Sequence, residues 1–241
     1  MKGTVQMFLT LWLCAWRRRY WAFALGVLAL VDLSAVLSLP HAPFWIAAIG
    51  TPDRGVYPFA LVWIASNALF NWIAIDWLWN SWRIWRVHWR IRGWNMRRSC
   101  WELWRFAFSN SVTLVTVDVA LCAALPLLIR QRWAAGDWTG LLQMAVLWFL
   151  GVTAMSWLSF LVSAIAGNPY AGYGASCLVL LISGYGFPYL LWSPGAQWMY
   201  GAHQLAAGSR YLYSFAYLIL LNLVLFLGSL LCGHLLGDRA N

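Results

Sequence analysis

Apolar positions dominate the chain in long blocks, and their spacing changes at only a few places. Near the start, Val5, Phe8, Leu9, Trp12, Leu13 and Trp16 recur at i, i+3, i+4, i+7, i+8 and i+11, the stripe of an amphipathic helix lying in a membrane interface. This predicts an in-plane helix over residues 4–18, closed by Arg17, Arg18 and Arg19. Those arginines stand where a signal peptide would need a small-residue cleavage site. Leu11-Trp12-Leu13-Cys14 likewise lacks the small residue that precedes a lipidated cysteine. Six hydrophobic stretches follow, at about 20–39, 57–79, 106–129, 139–166, 172–192 and 211–236. Each is long enough to cross a hydrocarbon core of about 30 Å as a helix of roughly 20 residues.

The links between these stretches are unequal. Residues 40–56 form a loop with three prolines and two glycines, residues 130–138 a short turn, and Gly167-Asn168-Pro169-Tyr170-Ala171 a helix stop of Gly followed by Pro. Two segments are much richer. Between Trp77 and Arg105 lie seven Arg and eight Trp in 29 residues. On a helix Arg83, Arg86 and Arg90 share one side, and Trp82, Trp85 and Trp89 repeat the same spacing beside them. Such a helix rests its indoles among lipid headgroups and offers its guanidinium groups to anionic lipid or to an acidic groove on a cytoplasmic partner. Nucleic acid is a poor occupant, because Trp pressed against a bilayer is unavailable to a duplex. In the second segment, 186–209, Ser193 followed by Pro194 predicts a helix N-cap with proline in the first position. Trp198, Ala202, Leu205 and Ala206 continue it as a short amphipathic helix at the outer interface, within a Pro-broken, partly re-entrant excursion.

Composition turns this pattern into a class. Of 241 residues 63% are hydrophobic and only 10% charged, and the mean hydropathy is +0.67, which a water-exposed surface does not allow. The expectation is an all-α integral membrane protein forming one transmembrane domain over 1–241. Placing the N-terminus in the cytoplasm puts Lys2, Arg17, Arg18, Arg19, the seven Arg between 83 and 105 and Arg239 inside, against Arg54, Arg130, Arg132 and Arg210 outside. By the positive-inside rule both termini are cytoplasmic, in a plasma or inner membrane. Lys2 is the only lysine, so a Walker A loop, whose Lys reaches the β/γ-phosphates, cannot be built from this chain.

Other chemistry finds little to stand on. Cys14, Cys100, Cys122, Cys177 and Cys232 form no CxxC or CxxH pair, so they read as small packing residues, not zinc ligands or a disulfide framework. His41 and His203 are both external without an evident third ligand, and His88 and His234 read as interfacial. Leu181-Ile182-Ser183-Gly184 lacks the first Gly of a rhomboid-type nucleophile motif, and no HExxH or paired-aspartate motif occurs. No catalytic residue, metal or resident cofactor is therefore expected.

The layout resembles the permease subunits of type 2 ABC exporters. Over the whole chain the likeness lies in the in-plane helix, six spans, a helical cytoplasmic loop between spans two and three, and a broken external hairpin between spans five and six. In motif it covers Ser163-Ala164-Ile165-Ala166-Gly167-Asn168-Pro169, then Ser183-Gly184-Tyr185-Gly186-Phe187-Pro188, then Pro194 and Trp198. This is similar to that family's small-residue span, x-N-P turn, S-G-x-x-F-P and P-x-x-x-W. The chain departs from the family where many members carry an acidic residue and a Gly-Thr turn after the second span; here that stretch is rich in Trp and Arg. The resemblance implies a dimer of permeases, by a second copy or a related chain, driven by a separate cytoplasmic ATPase that holds ATP and Mg. It implies that residues 80–105 are the coupling segment, with Trp82, Arg83, Trp85, Arg86, Trp89 and Arg90 docking the ATPase. Phe187, Pro188, Pro194 and Trp198 become candidates for an external gate. The aromatic content suits a hydrophobic or amphipathic cargo such as a peptide, an antibiotic or a lipid-like molecule.

Polar residues within spans need a reason, since a carboxylate at a helix centre costs roughly 2.5–3.5 kcal/mol on insertion scales. Asp76 lies at the end of its span, two turns before Arg83, which predicts an interfacial ion pair. Asp32 and Asp118 lie deeper, and either face a hydrated substrate pathway or are protonated and bonded to a neighbouring helix. Asn67 and Asn71, one turn apart, either line that pathway or join helices; Asn222 reads as glue of the same kind. An alternative class is a small ion- or proton-coupled carrier, or a membrane-embedded substrate-binding subunit, working through Asp32 or Asp118.

Overall fold

The computed structural model describes Gly26, Ala29 and residues 57–91, 96–128, 135–186, 192–198 and 210–231. The helix expected at 4–18, nearly all of the first span with Asp32, the loop 40–56 with His41, Phe187, Pro188, His203, and residues 232–241 lie outside the described residues. Among those described, every regular element is helical: α1 (Tyr57–Ile91), α2 (Met96–Leu128), α3 (Ala135–Ala166), α4 (Pro169–Gly186), a 3₁₀ turn (Gly195–Trp198) and α5 (Arg210–Leu231). Two of these, over Trp138–Ala166 and Arg210–Leu231, are long and apolar enough to cross a membrane.

α3 is the hub and touches each of the other elements. Its sequence explains why, because it is apolar on all sides and so has no solvent face to present. Two clusters are built along it. One gathers Trp148 and Val152 with Trp63 and Phe70 of α1, Leu114 of α2 and Leu180 of α4. The other gathers Trp157 and Phe160 with Trp77 and Leu78 of α1 and Phe106 of α2. The rings meet edge-on, Phe70 with Trp148 at 5.4 Å and Trp77 with Phe106 at 5.5 Å, the arrangement the ring quadrupoles favour.

α1 joins the hydrophobic stretch at 57–79 and the start of the Arg- and Trp-rich segment, expected to be helical, in one element. Begun at Tyr57, it runs unbroken for 35 residues to Ile91, about 50 Å at 1.5 Å per residue. Within Trp77–Ile91 there is no Pro or Gly to break it. α2 begins at Met96, so the described part of the Arg- and Trp-rich stretch is carried by extensions of two long helices.

The turn from α3 to α4 follows from three residues. Gly167 takes the left-handed conformation, φ 72°, and Asn168 N–H donates back to Ser163 O at 3.1 Å, the six-to-one bond of a Schellman ending. Asn168 Oδ1 then accepts Tyr170 N–H at 3.0 Å, capping α4 with Pro169 in its first position. A Cβ at Gly167 meets no neighbour, so only the backbone resists one. Gly167→Ala is expected to lower stability by about 1–2 kcal/mol, read as a lower thermal midpoint of the detergent-solubilised chain. An unchanged midpoint would mean the turn relaxes.

α4 turns small residues inward: Gly172, Ser176, Ser183 and Gly184 are buried, which lets its backbone approach its neighbours closely. A Cβ at Gly184 would sit 2.7 Å from Ile64 Cδ1. On α5 only Ser214, Leu218 and Ser229 are buried. Cys100 Sγ lies 3.8 Å from Ser229 O, joining α2 to α5.

Candidate functional site

Two helical turns of α1 carry the polar centre of the protein. Asn67 Nδ2 donates to Trp63 O at 2.8 Å, while its Oδ1 accepts two indole N–H groups, from Trp148 at 3.0 Å and Trp198 at 3.2 Å. One turn on, Asn71 Nδ2 donates to Ser176 Oγ, and Ser159 Oγ lies 3.0 Å from Asn71 Oδ1. Both asparagines are almost fully buried. Each of the two carboxamides thus uses its oxygen and its nitrogen on protein groups drawn from α1, α3, α4 and the 3₁₀ turn. A buried amide so satisfied holds helices together at little cost and is neither acid, base nor nucleophile.

The 3₁₀ turn is inserted, not laid on the surface. Gly195, Ala196, Gln197 and Trp198 are buried, and the expected N-cap is made differently: Ser193 supplies its carbonyl, which accepts Ala196 N–H at 3.2 Å and Gln197 Nε2 at 3.1 Å. Its hydroxyl has no hydrogen-bond partner among the described residues. Trp198 lies over Gly151, where any Cβ would collide with its ring, and 6.0 Å from the Trp63 ring. Gly195 N–H donates to Ser183 Oγ at 3.1 Å, and Ser214 Oγ donates to Gln197 Oε1 at 2.9 Å. Of the gate candidates, Pro194 is half-buried and Trp198 wholly buried, so Trp198 closes over the asparagine cluster as a plug closes a socket.

The remaining candidates are distributed. Asp118 is buried on α2 in the row Ser111, Leu114, Asp118, and none of the bonds of Asn67 and Asn71 reaches it. Asp76 Oδ1 accepts Asn80 Nδ2 at 2.9 Å, one turn on and short of Arg83. Asn222 Nδ2 donates to Leu150 O at 3.0 Å and Leu218 O at 2.8 Å, joining α5 to α3. On the α1 extension Arg83 is exposed, but Trp82 turns inward, 5.2 Å from the Trp79 ring and edge-on to Phe160 at 6.0 Å. Trp85, Arg86, Trp89 and Arg90 occupy the same helix.

Two features were missed by sequence reasoning. Ile84, Val87 and Ile91, spaced i, i+3, i+7 along the α1 extension, all face outward, Ile91 with 78% of its surface open. Their spacing was visible, but it was overshadowed by the Trp and Arg around them. The second is a groove of about 320 Å³ between α2, α3 and α5, walled by Trp101, Trp104, Phe108, Phe149 and Phe226. Leu150, Thr153, Ile219, Asn222 and Leu223 complete it. No contiguous sequence signal marks it, because its rings come from three helices. Among the described residues no three His, Cys, Asp or Glu side chains gather to hold a metal ion. No family model, curated protein or solved structure matches the chain.

Proposed function

We propose that the chain is the membrane-spanning permease subunit of an ATP-driven exporter of the type 2 ABC kind. In this reading it has six spans with both termini in the cytoplasm, sits in a plasma or inner membrane, and works as a dimer with a separate ATPase that binds ATP and Mg. Its cargo is hydrophobic or amphipathic. Support for the membrane setting comes from α5, whose mean hydropathy is 2.2 while only 17% of its most apolar window is buried. Leu212, Leu220, Val224 and Leu231 all point outward from it, a continuous apolar face that water would not tolerate and lipid would.

The observation that carries the transport reading is the α1 extension. At 35 residues α1 overshoots a bilayer core by several turns, and the overshoot presents Arg83 beside the open aliphatic stripe Ile84, Val87 and Ile91. An apolar stripe beside a guanidinium group suits the acidic, partly apolar groove of a protein partner, in the helix-in-groove mode. It is rigidly continuous with the span that carries Asn67 and Asn71. A push on its end by a nucleotide-driven partner would therefore be felt at the polar centre, biasing inward-open against outward-open arrangements.

The test is affinity recovery from detergent-solubilised native membranes, comparing wild type with Arg83, Arg86 and Arg90 all changed to Glu. Wild type is expected to bring down a Walker A-bearing ATPase, and the triple variant at least about tenfold less, since like charges across an interface cost several kcal/mol. No ATPase with either chain would sink the exporter reading. The buried Asp118 favours a second reading, an ion-coupled carrier. That reading gains if transport persists without an ATPase and is lost on Asp118→Asn.

A further inference from the structure

The groove between α2, α3 and α5 is distinguished by its rings. Half of the residues that line it are aromatic, and none is charged. Its polar side chains are already engaged with backbone carbonyls. The Thr153 hydroxyl donates to Phe149 O at 2.8 Å, and Asn222 Nδ2 donates to Leu150 O at 3.0 Å and Leu218 O at 2.8 Å. A guest carrying a charge, or several hydrogen-bonding groups, would lose water there and find no partner in exchange. The occupant that these walls fit is therefore uncharged and apolar. Trp101, Phe108, Ile219 and Leu223 line the groove and are exposed, so it opens sideways onto the outward apolar face of α5 and is reached without passing the asparagine cluster.

Ring orientation narrows the class. Trp101, Trp104 and Phe108 follow at i, i+3 and i+7 on α2, and their planes are nearly parallel. Trp101 and Trp104 meet at 17° with centroids 5.4 Å apart, and Trp104 and Phe108 at 30° and 5.2 Å, an offset row of ring faces. Two further rings stand across this row. Phe226 meets Trp101 at 75° and Trp104 at 69°, and Phe149 meets Phe108 at 89° and 4.7 Å. A flat guest parallel to the row would continue its offset stacking and meet Phe149 and Phe226 at the steep angle that edge-to-face contacts prefer. A saturated chain would gain burial alone, which aliphatic walls supply equally well. The volume, about 320 Å³, is at the lower end of the roughly 300–1,000 Å³ in which proteins hold small ligands, and it limits the guest to a few fused rings.

We propose that this groove is a binding site for an uncharged, planar polycyclic aromatic molecule, seated parallel to Trp101, Trp104 and Phe108 and bounded by Phe149 and Phe226. Binding of this kind needs neither an ATPase nor a second copy of the chain, so the proposal stands apart from the exporter reading.

Thermal midpoints of the full chain in detergent, titrated with phenanthrene or with tetradecane at equal mole fraction in the same micelles, test it. The two hydrocarbons have the same number of carbon atoms; one is flat and aromatic, the other flexible and saturated. A ligand that binds only the folded chain raises the midpoint as its concentration rises. Phenanthrene is expected to do so in wild type at a lower mole fraction than tetradecane. Trp104→Leu removes the central ring of the row but keeps the wall apolar. It should weaken apparent phenanthrene binding about three- to tenfold, the factor an aromatic pair contributes beyond its buried area, while leaving the response to tetradecane in place. Trp101→Leu, at an exposed position, should act in the same direction with less effect on the unliganded midpoint, and it remains as the test if Trp104→Leu fails to fold. Equal responses to the two hydrocarbons overturn the proposal in favour of a site for acyl chains. No response to either also overturns it, since the groove would then be closed to small guests. A phenanthrene response that survives both substitutions unchanged places the binding elsewhere and overturns it as well.

Discussion

Asn67→Leu is expected to be among the most damaging single substitutions in the chain. Leucine keeps the volume but removes the one oxygen that accepts both Trp148 Nε1 and Trp198 Nε1. Both indoles are buried, to 2% and 0% exposure, so two N–H donors would be left in a dry interior. At about 1–3 kcal/mol for each buried donor left unpaired, the loss is roughly 2–6 kcal/mol, a large part of the stability of an ordinary domain. Asn71→Leu should cost less. Ser159 and Ser176 can each fall back on a carbonyl of their own helix, Met155 O at 2.8 Å and Tyr173 O at 2.8 Å. Denaturant titration of the purified chain in detergent would measure both. If Asn67→Leu costs no more than Asn71→Leu, the shared-acceptor account is wrong.

The same geometry bears on mechanism. Trp198 belongs to a short turn that is joined to α4 through Ser183, to α5 through Ser214 and to α1 through Asn67. Any rearrangement that moves Asn67 of α1 away from α3 breaks its bond to Trp148, and must either carry this turn along or break the Trp198 bond as well. Under the proposed exporter reading, the turn is thus the element whose release would accompany opening, and its bonds set part of the energy that the ATPase must supply. In Asn67→Leu the turn should become cleavable by added protease while α3 stays protected, because sub-global opening follows the weakest attachments.

Parts of this arrangement could be read from residue order alone, and for definite reasons. Gly167-Asn168-Pro169 specified its turn because each residue type has a local conformational reason to be there, and no distant contact was needed. Asn67 and Asn71 share a helical face by spacing. Their partners were hidden, because Trp148 and Trp198 are two of 20 tryptophans and a membrane-interface origin accounts for most Trp equally well. Ser159 and Ser176 likewise look like any small residue in an apolar span. That the stretch at 57–79 and the start of the Arg- and Trp-rich segment form one helix was not legible, because the fall in hydropathy after residue 79 bounds an apolar stretch and says nothing of where backbone hydrogen bonds stop; the helix continues to Ile91. The groove escaped for a related reason: Trp101, Phe149 and Phe226 become neighbours only when three helices pack.

Gly172→Ala should be comparably severe through backbone crowding, and Gly174→Ala, two residues away on the same helix, should do the opposite. At Gly172 a Cβ would be driven into the Ser159 carbonyl and the Ser163 hydroxyl. The carbonyl belongs to the backbone of α3 and cannot rotate aside, so α3 and α4 must separate along their closest line of approach. Separation would also stretch the Asn71–Ser176 and Asn71–Ser159 bonds, which together bridge α4 and α3 through Asn71 of α1. Overpacking costs typically about 1–3 kcal/mol and occasionally more, and the coupled polar bonds push this case to the upper part of that range. At Gly174 a Cβ meets nothing within 4 Å, the position is exposed, and alanine there gains about 0.5–1 kcal/mol of helix preference. Thermal midpoints of the two variants in one detergent should therefore move in opposite directions. A drop at both positions would mean that the Gly174 face is covered by a surface outside these helices, while no drop at Gly172 would mean that α3 and α4 do not approach as closely as their small residues allow.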